Sequence, residues 1–64
     1  MRLSEFRKAR QITQKDLADA VGVTQAYISN LESGKRKNPS LNVLVRISRV
    51  LDVDIRNLIE GNLL

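Results

Sequence analysis

The stretch QKDLADAVGVTQAYISNLES, residues 14–33, sets the architecture of this 64-residue chain. Apolar residues recur in it at helical spacing: Leu17, Ala18 and Val21 in the first half, Ile28 and Leu31 in the second. Between the halves stands Gly22-Val23-Thr24. Thr13 and Thr24 each precede a half and can cap a helix N-terminus with a hydroxyl oxygen. Asp16, three residues after Thr13, makes the first a variant of the capping box. Gly22 tolerates the left-handed backbone in which helices commonly end. The spacing predicts helices over 14–21 and 25–32, joined by a very short turn. Such a turn makes the axes cross steeply and holds their relative orientation. Ala18 is the small residue where the two would approach, Val23 and Ile28 close the wedge, and Leu17, Val21 and Leu31 anchor it to the remaining helices.

The same periodicity continues on both sides. A helix over about 2–10 stacks Leu3 and Phe6, with Ala9 or Arg10, on one side. Gly34 ends the third helix, and the loop Lys35-Arg36-Lys37-Asn38-Pro39 follows. Ser40 caps a fourth helix over 41–51. Its apolar stripe is the widest in the chain, running from Leu41 through Val43, Leu44, Val45, Ile47 and Val50 to Leu51, which predicts that it is the most buried helix. Asp54 caps a short fifth helix over 55–60, stopped at Gly61. Sustained period-two alternation is absent. The expectation is an all-α, compact five-helix fold in one domain spanning 1–64.

Composition narrows the function. Leu, Ile, Val and Phe make up 21 residues, well above the level of a disordered chain. With no cysteine and no histidine, disulfides and Cys/His metal staples are excluded, and the commonest general base and a common nucleophile are missing. The acids are scattered, so an enzyme is not expected, nor a cofactor. The longest apolar run, Val43-Leu44-Val45, is far short of the roughly 20 residues of a membrane-spanning helix. Charges among the first ten residues exclude a secretory leader, so a cytoplasmic location is expected. No separate effector-binding domain fits in 64 residues, so no small-molecule effector is expected within this chain. The formal charge is +4, and the excess lies early. Residues 1–37 hold eight Lys/Arg against four Asp/Glu, whereas 38–64 hold three of each. A local basic excess attracts polyanions.

The third helix carries an unusual outer face. Gln25, Ala26, Ser29 and Asn30 stand at i, i+1, i+4 and i+5 and share one side. An ordinary solvated face would hold Glu and Lys. Carboxamides donate and accept together, which suits adenine N6/N7 in a major groove, while Ala and Thr methyls can meet thymine methyl. Readers in the middle with cations at the edge match the division between base contacts that specify and phosphate contacts that position.

Residues 14–33, continued by Gly34-Lys35-Arg36, Pro39-Ser40-Leu41 and by Leu44, Ile47, Leu51 and Val53, closely resemble the lambda-repressor-like, Cro/Xre-type helix-turn-helix family. The likeness covers about 3–60. It implies a sequence-specific double-stranded DNA-binding transcriptional regulator, read here as a repressor, whose third helix is the recognition helix. Gln25, Ala26 and Asn30 match the family's base-contacting positions, with Thr24 and Ser29 secondary. Gln14 matches a residue that clamps phosphate with its side chain and helix N-terminus. Tyr27, Lys35, Arg36, Lys37 and Asn38 match the flank and loop that hold the backbone. Arg7 and Glu32 occupy positions that the family often pairs. Position 11, commonly glycine in the family, is Gln11, which costs about 1 kcal/mol if the residue must be left-handed.

A single domain of this size makes few base contacts, so a two-fold homodimer is expected. Ile55, Leu58, Ile59, Leu63 and Leu64 form its candidate seam. The rival reading is a protein-interaction or antitoxin-type helix-turn-helix module, in which the outer face of the third helix meets a protein. Salt separates the two, because DNA binding weakens steeply with ionic strength.

Overall fold

The computed structural model describes residues 1–36 and 38–59. Among them run five α-helices and no strand: α1 Leu3–Ala9, α2 Gln14–Val21, α3 Gln25–Ser33, α4 Leu41–Leu51 and α5 Ile55–Ile59. The first is a residue shorter at each end than its pattern predicts, and α3 runs one residue longer.

The caps are those read from the sequence. Thr13 Oγ1 accepts from the Asp16 N–H (3.0 Å), Thr24 Oγ1 from Tyr27 (3.1 Å) and Ser40 Oγ from Val43 (3.2 Å). Asp54 Oδ1 accepts from the Arg56 N–H at 2.8 Å and opens α5. Each bond satisfies an N–H that a helix start leaves without an intrahelical partner. Gly22 ends α2 at φ 87° and Gly34 ends α3 at φ 85°.

α2 lies at the centre, packed against α3 on one side and α4 on the other, while α5 joins α4 to α1. The core is Leu3, Leu17, Ala18, Val21, Ile28, Leu31, Ile47, Leu51 and Leu58. Burying a leucine this completely stabilises the fold by about 1.5–3 kcal/mol. The expectation that α4 is the most buried helix is not met. It buries only Ile47, Ser48 and Leu51, all in its C-terminal half, and Leu41 is 68% exposed. Leu41 and Asn42 open the helix in solvent, while Val43, Leu44 and Val50 pack against the core only half-buried.

Polar ties between separate elements close two helix ends. α2 has no basic residue in its own last turn. Arg46 of α4 supplies one, donating from Nη1 to the Val21 carbonyl at 3.3 Å. It satisfies an end carbonyl and places a cation at the negative end of the helix. Arg10 reaches across in the same way to the Asp52 carbonyl at the end of α4 (3.3 Å).

Gln11 is left-handed, at φ 57°. It follows α1, and its N–H donates to the Lys8 carbonyl at 3.0 Å, so it serves where glycine would carry no steric penalty. The strain is about 1–2 kcal/mol, partly offset because glycine loses more entropy on folding. Gln11→Gly is therefore expected to raise stability by about 0.5–1 kcal/mol, read as an upward shift of the urea midpoint with an unchanged slope. A lower midpoint would contradict the strain.

Candidate nucleic-acid interface

The turn at Gly22 leaves α3 with one face on the core and the other open. Ile28 and Leu31 point inward and are buried. Thr24, Gln25 and Ala26 are exposed, and Ser29 and Asn30 are half-buried at the margin of the same face. The sequence-predicted readers are thus brought together on one surface. Thr24 is also the cap of α3, so its hydroxyl oxygen is committed to the Tyr27 N–H while its methyl remains available.

The flank folds back onto this helix. After Gly34 turns the chain, the Arg36 N–H donates to the Asn30 carbonyl at 3.1 Å. The Arg36 guanidinium lies over the Tyr27 ring, 4.4 Å from its centroid. Lys35, Arg36 and Asn38 are all exposed. Lys37 lies outside the described residues, as do Leu63 and Leu64. The edge of this α3 face therefore carries cations, as the sequence suggests.

A polar network under the face joins three helices. Arg7 of α1 donates from Nε to Glu32 Oε2 (2.6 Å), from Nη2 to Glu32 Oε1 (3.1 Å) and from Nη1 to the Ile12 carbonyl (2.8 Å). Its side chain is only 11% exposed, and that of Glu32 10%. Planar guanidinium and carboxylate meet here in the bidentate geometry that gives the strongest ion pairs. Burial alone would push the Glu32 carboxyl up. Hydrogen bonds from Arg7 and Gln14, with the charges of Arg7 and Lys8, outweigh it and hold the group below its ordinary value. The hydrogen bond to Glu32 raises Arg7, against its own burial. Among the described residues no buried side-chain N or O lacks a partner.

Gln14 differs from its simplest expectation. Its Nε2 donates to Glu32 Oε1 at 3.0 Å, so the amide is turned toward the ion pair instead of wholly outward. One N–H is committed, and the amide keeps a second N–H and its carbonyl. At the start of α2 its backbone N–H belongs to the helix end that favours anions. Helix capping and periodicity do not reveal the Gln14–Glu32 bond, the Tyr27–Arg36 stack or the Arg46 tie. Only for Arg46 does the sequence hold a hint, in the lack of a cation at the end of α2.

One seam residue is corrected. Leu58 is fully enclosed in the core, on the side of α5 that packs against α4 and α1. Ile55 and Ile59 are half-buried and remain at the surface. Among the described residues there is no group of acidic side chains able to hold a metal ion, and no helix is long and apolar enough to cross a membrane.

Fold and surface together define a helix-turn-helix domain with an outward amide face edged by cations. The chain belongs to the lambda-repressor-like, Cro/C1-type helix-turn-helix family, whose model, described as "Helix-turn-helix", matches residues 3–58. It is 34% identical over 59 residues to the HTH-type transcriptional regulator SinR of Bacillus subtilis, a match covering 92% of this chain and 53% of SinR. It is 44% identical over 57 residues to an uncharacterized HTH-type transcriptional regulator of Archaeoglobus fulgidus, covering 89% of this chain and 80% of that one. The crystal structure of SinR, the master regulator for biofilm formation, in complex with DNA superposes with a TM-score of 0.87 at 34% identity, over 92% of this chain and 94% of that chain. This chain spans about half the length of SinR.

Proposed function

We propose that residues 1–64 form one sequence-specific, double-stranded DNA-binding domain of a transcriptional regulator, acting in the cytoplasm as a repressor. The observation that carries this reading is the exposed amide face of α3 beside the stacked Arg36. In it α3 enters the major groove, where Gln25, Ala26 and Asn30 meet base edges, with Thr24 and Ser29 at the margin. α2 spans the backbone, with Gln14 presenting its N–H groups to a phosphate. Lys35, Arg36, Lys37 and Asn38 hold the sugar-phosphate flank, with the Tyr27 ring beside Arg36. Repression follows by occupancy, with no catalytic step and no cofactor. SinR, solved in complex with DNA, supports the same use of the fold.

Two copies related by a two-fold axis would read half-sites about 34 Å apart on a near-palindrome. Ile55 and Ile59 are the described residues proposed for that contact.

Selection from a random duplex pool tests the reading. The expected result is a short consensus in inverted repeat, whose affinity falls with salt by about 0.9 in log K per log salt for each phosphate neutralised. No enrichment over random competitor, or capture of a protein with shallow salt dependence, would replace the reading with that of a protein-interaction module.

A further inference from the structure

We infer that Tyr27 acts on DNA through Arg36: it is a positioning residue whose ring holds the guanidinium at the edge of the reading helix, and not a phosphate ligand through its hydroxyl. The inference deepens the DNA-binding reading above and rests on it.

Two contacts place Arg36, and both come from α3. The guanidinium carbon lies 4.4 Å from the Tyr27 ring centroid, within the range of a cation–π contact. The backbone N–H of Arg36 is held by the Asn30 carbonyl at 3.1 Å, which brings the loop back beside α3. Tyr27 is itself anchored. Its N–H is capped by Thr24, and its ring packs against the core while half-exposed. One side of the ring system is therefore fixed by the protein, and the other carries a cation. A free arginine side chain has several rotatable bonds to order when it grips a phosphate, and stacking removes part of that cost before DNA arrives. Stacking on the ring leaves the N–H edge of a guanidinium open to donate. Because the same residue is tethered to Asn30, the cation's position is tied to that of a base reader. The Tyr27 hydroxyl has no place in this account.

A binding cycle on a duplex obtained by selection separates the possibilities. Tyr27→Phe keeps the ring and removes the hydroxyl, and is expected to bind within about twofold of the parent. Tyr27→Leu removes the platform and is expected to weaken binding about two- to fivefold, the equivalent of an exposed cation–π contact. Arg36→Ala should weaken every sequence alike and lower the salt slope by about one phosphate. In that background Tyr27→Leu should then cost nothing further. If Tyr27→Phe loses as much as Tyr27→Leu, or if the Tyr27→Leu and Arg36→Ala losses simply multiply, the hydroxyl or packing is responsible and the inference falls.

Because Tyr27 also packs on the core, free-protein NMR supplies a readout independent of DNA and of overall stability. The Arg36 Nε–H resonance should carry a ring-current shift in the parent and in Tyr27→Phe that vanishes in Tyr27→Leu. Absence of that shift in the parent overturns the inference even where DNA binding stands. Failure of the parent to prefer any duplex, with the shift present, sinks instead the DNA-binding reading on which the inference depends.

Discussion

Arg7→Met is expected to destabilise the fold by about 3 kcal/mol, and Glu32→Leu by a similar amount, while the double variant lies much closer to the parent. Removing one partner strands a charge in a site about nine-tenths closed to solvent, and Glu32 carries Gln14 as well. Removing both leaves an apolar contact between α1 and α3. The Ile12 carbonyl loses its Arg7 donor in each case where arginine is replaced, which adds the cost of one unmade hydrogen bond, about 1 kcal/mol. Total stability of so small a domain lies near the low end of about 5–15 kcal/mol, so either single variant should be substantially unfolded in mild denaturant. Urea midpoints for the four proteins give the coupling energy directly. Additive losses would mean that the pair is not a unit.

The same pair sets a pH dependence. Glu32 is held below its ordinary value of 4.5 in the folded chain. A carboxylate with a lowered folded pKa contributes stability that is present above the unfolded value and is lost as pH falls through the folded one. The parent should therefore weaken steadily below pH 4.5. Asp54, held at about 2 by the side chain and N–H of Arg56, contributes in the same direction from an exposed position. In the Arg7→Met, Glu32→Leu double variant, the Glu32 part of that slope should vanish. Midpoints measured across the acid range check this, and an unchanged slope would assign the effect elsewhere.

Gln25→Ala should have the largest effect on discrimination. A bidentate amide–adenine pair is worth about 1–3 kcal/mol against a wrong base. Gln25 is exposed at the first turn of α3, where recognition helices contact base edges. The variant should lose about 5- to 150-fold in preference at one position of the consensus, with the salt slope unchanged because no phosphate contact is removed. Asn30→Ala should do the same at a different position. Competition binding against single-base operator variants gives the measurement. A uniform loss on all duplexes would move Gln25 from base reading to backbone contact.

Much of this molecule is local in origin and so legible in its order of residues. Thr13, Thr24, Ser40 and Asp54 cap the helices whose first turns they precede, because the bond each makes closes within three residues. Gly22 and Gly34 end helices, because a left-handed φ is a property of one residue. The outward face of Gln25, Ala26, Ser29 and Asn30 follows from helical periodicity once Ile28 and Leu31 face inward. The left-handed Gln11 was visible as a departure from glycine, although the chain alone did not say that the strain is accepted.

Contacts between elements are another matter. Whether an apolar stripe is covered depends on the lengths and angles of its neighbours, so Leu41 protrudes from the widest stripe and Leu58 disappears into the core. The Gln14 amide, with donors and an acceptor on a rotatable stem, takes the nearest strong partner, and the fold puts Glu32 there. Arg46 reaches α2, and Arg36 lies on Tyr27, because separate segments were brought within a side chain's length. Elements of this chain arise from bonds within a turn or two of helix. Their mutual placement arises from close packing and from charges that must find partners away from water, and neither is written in any single segment.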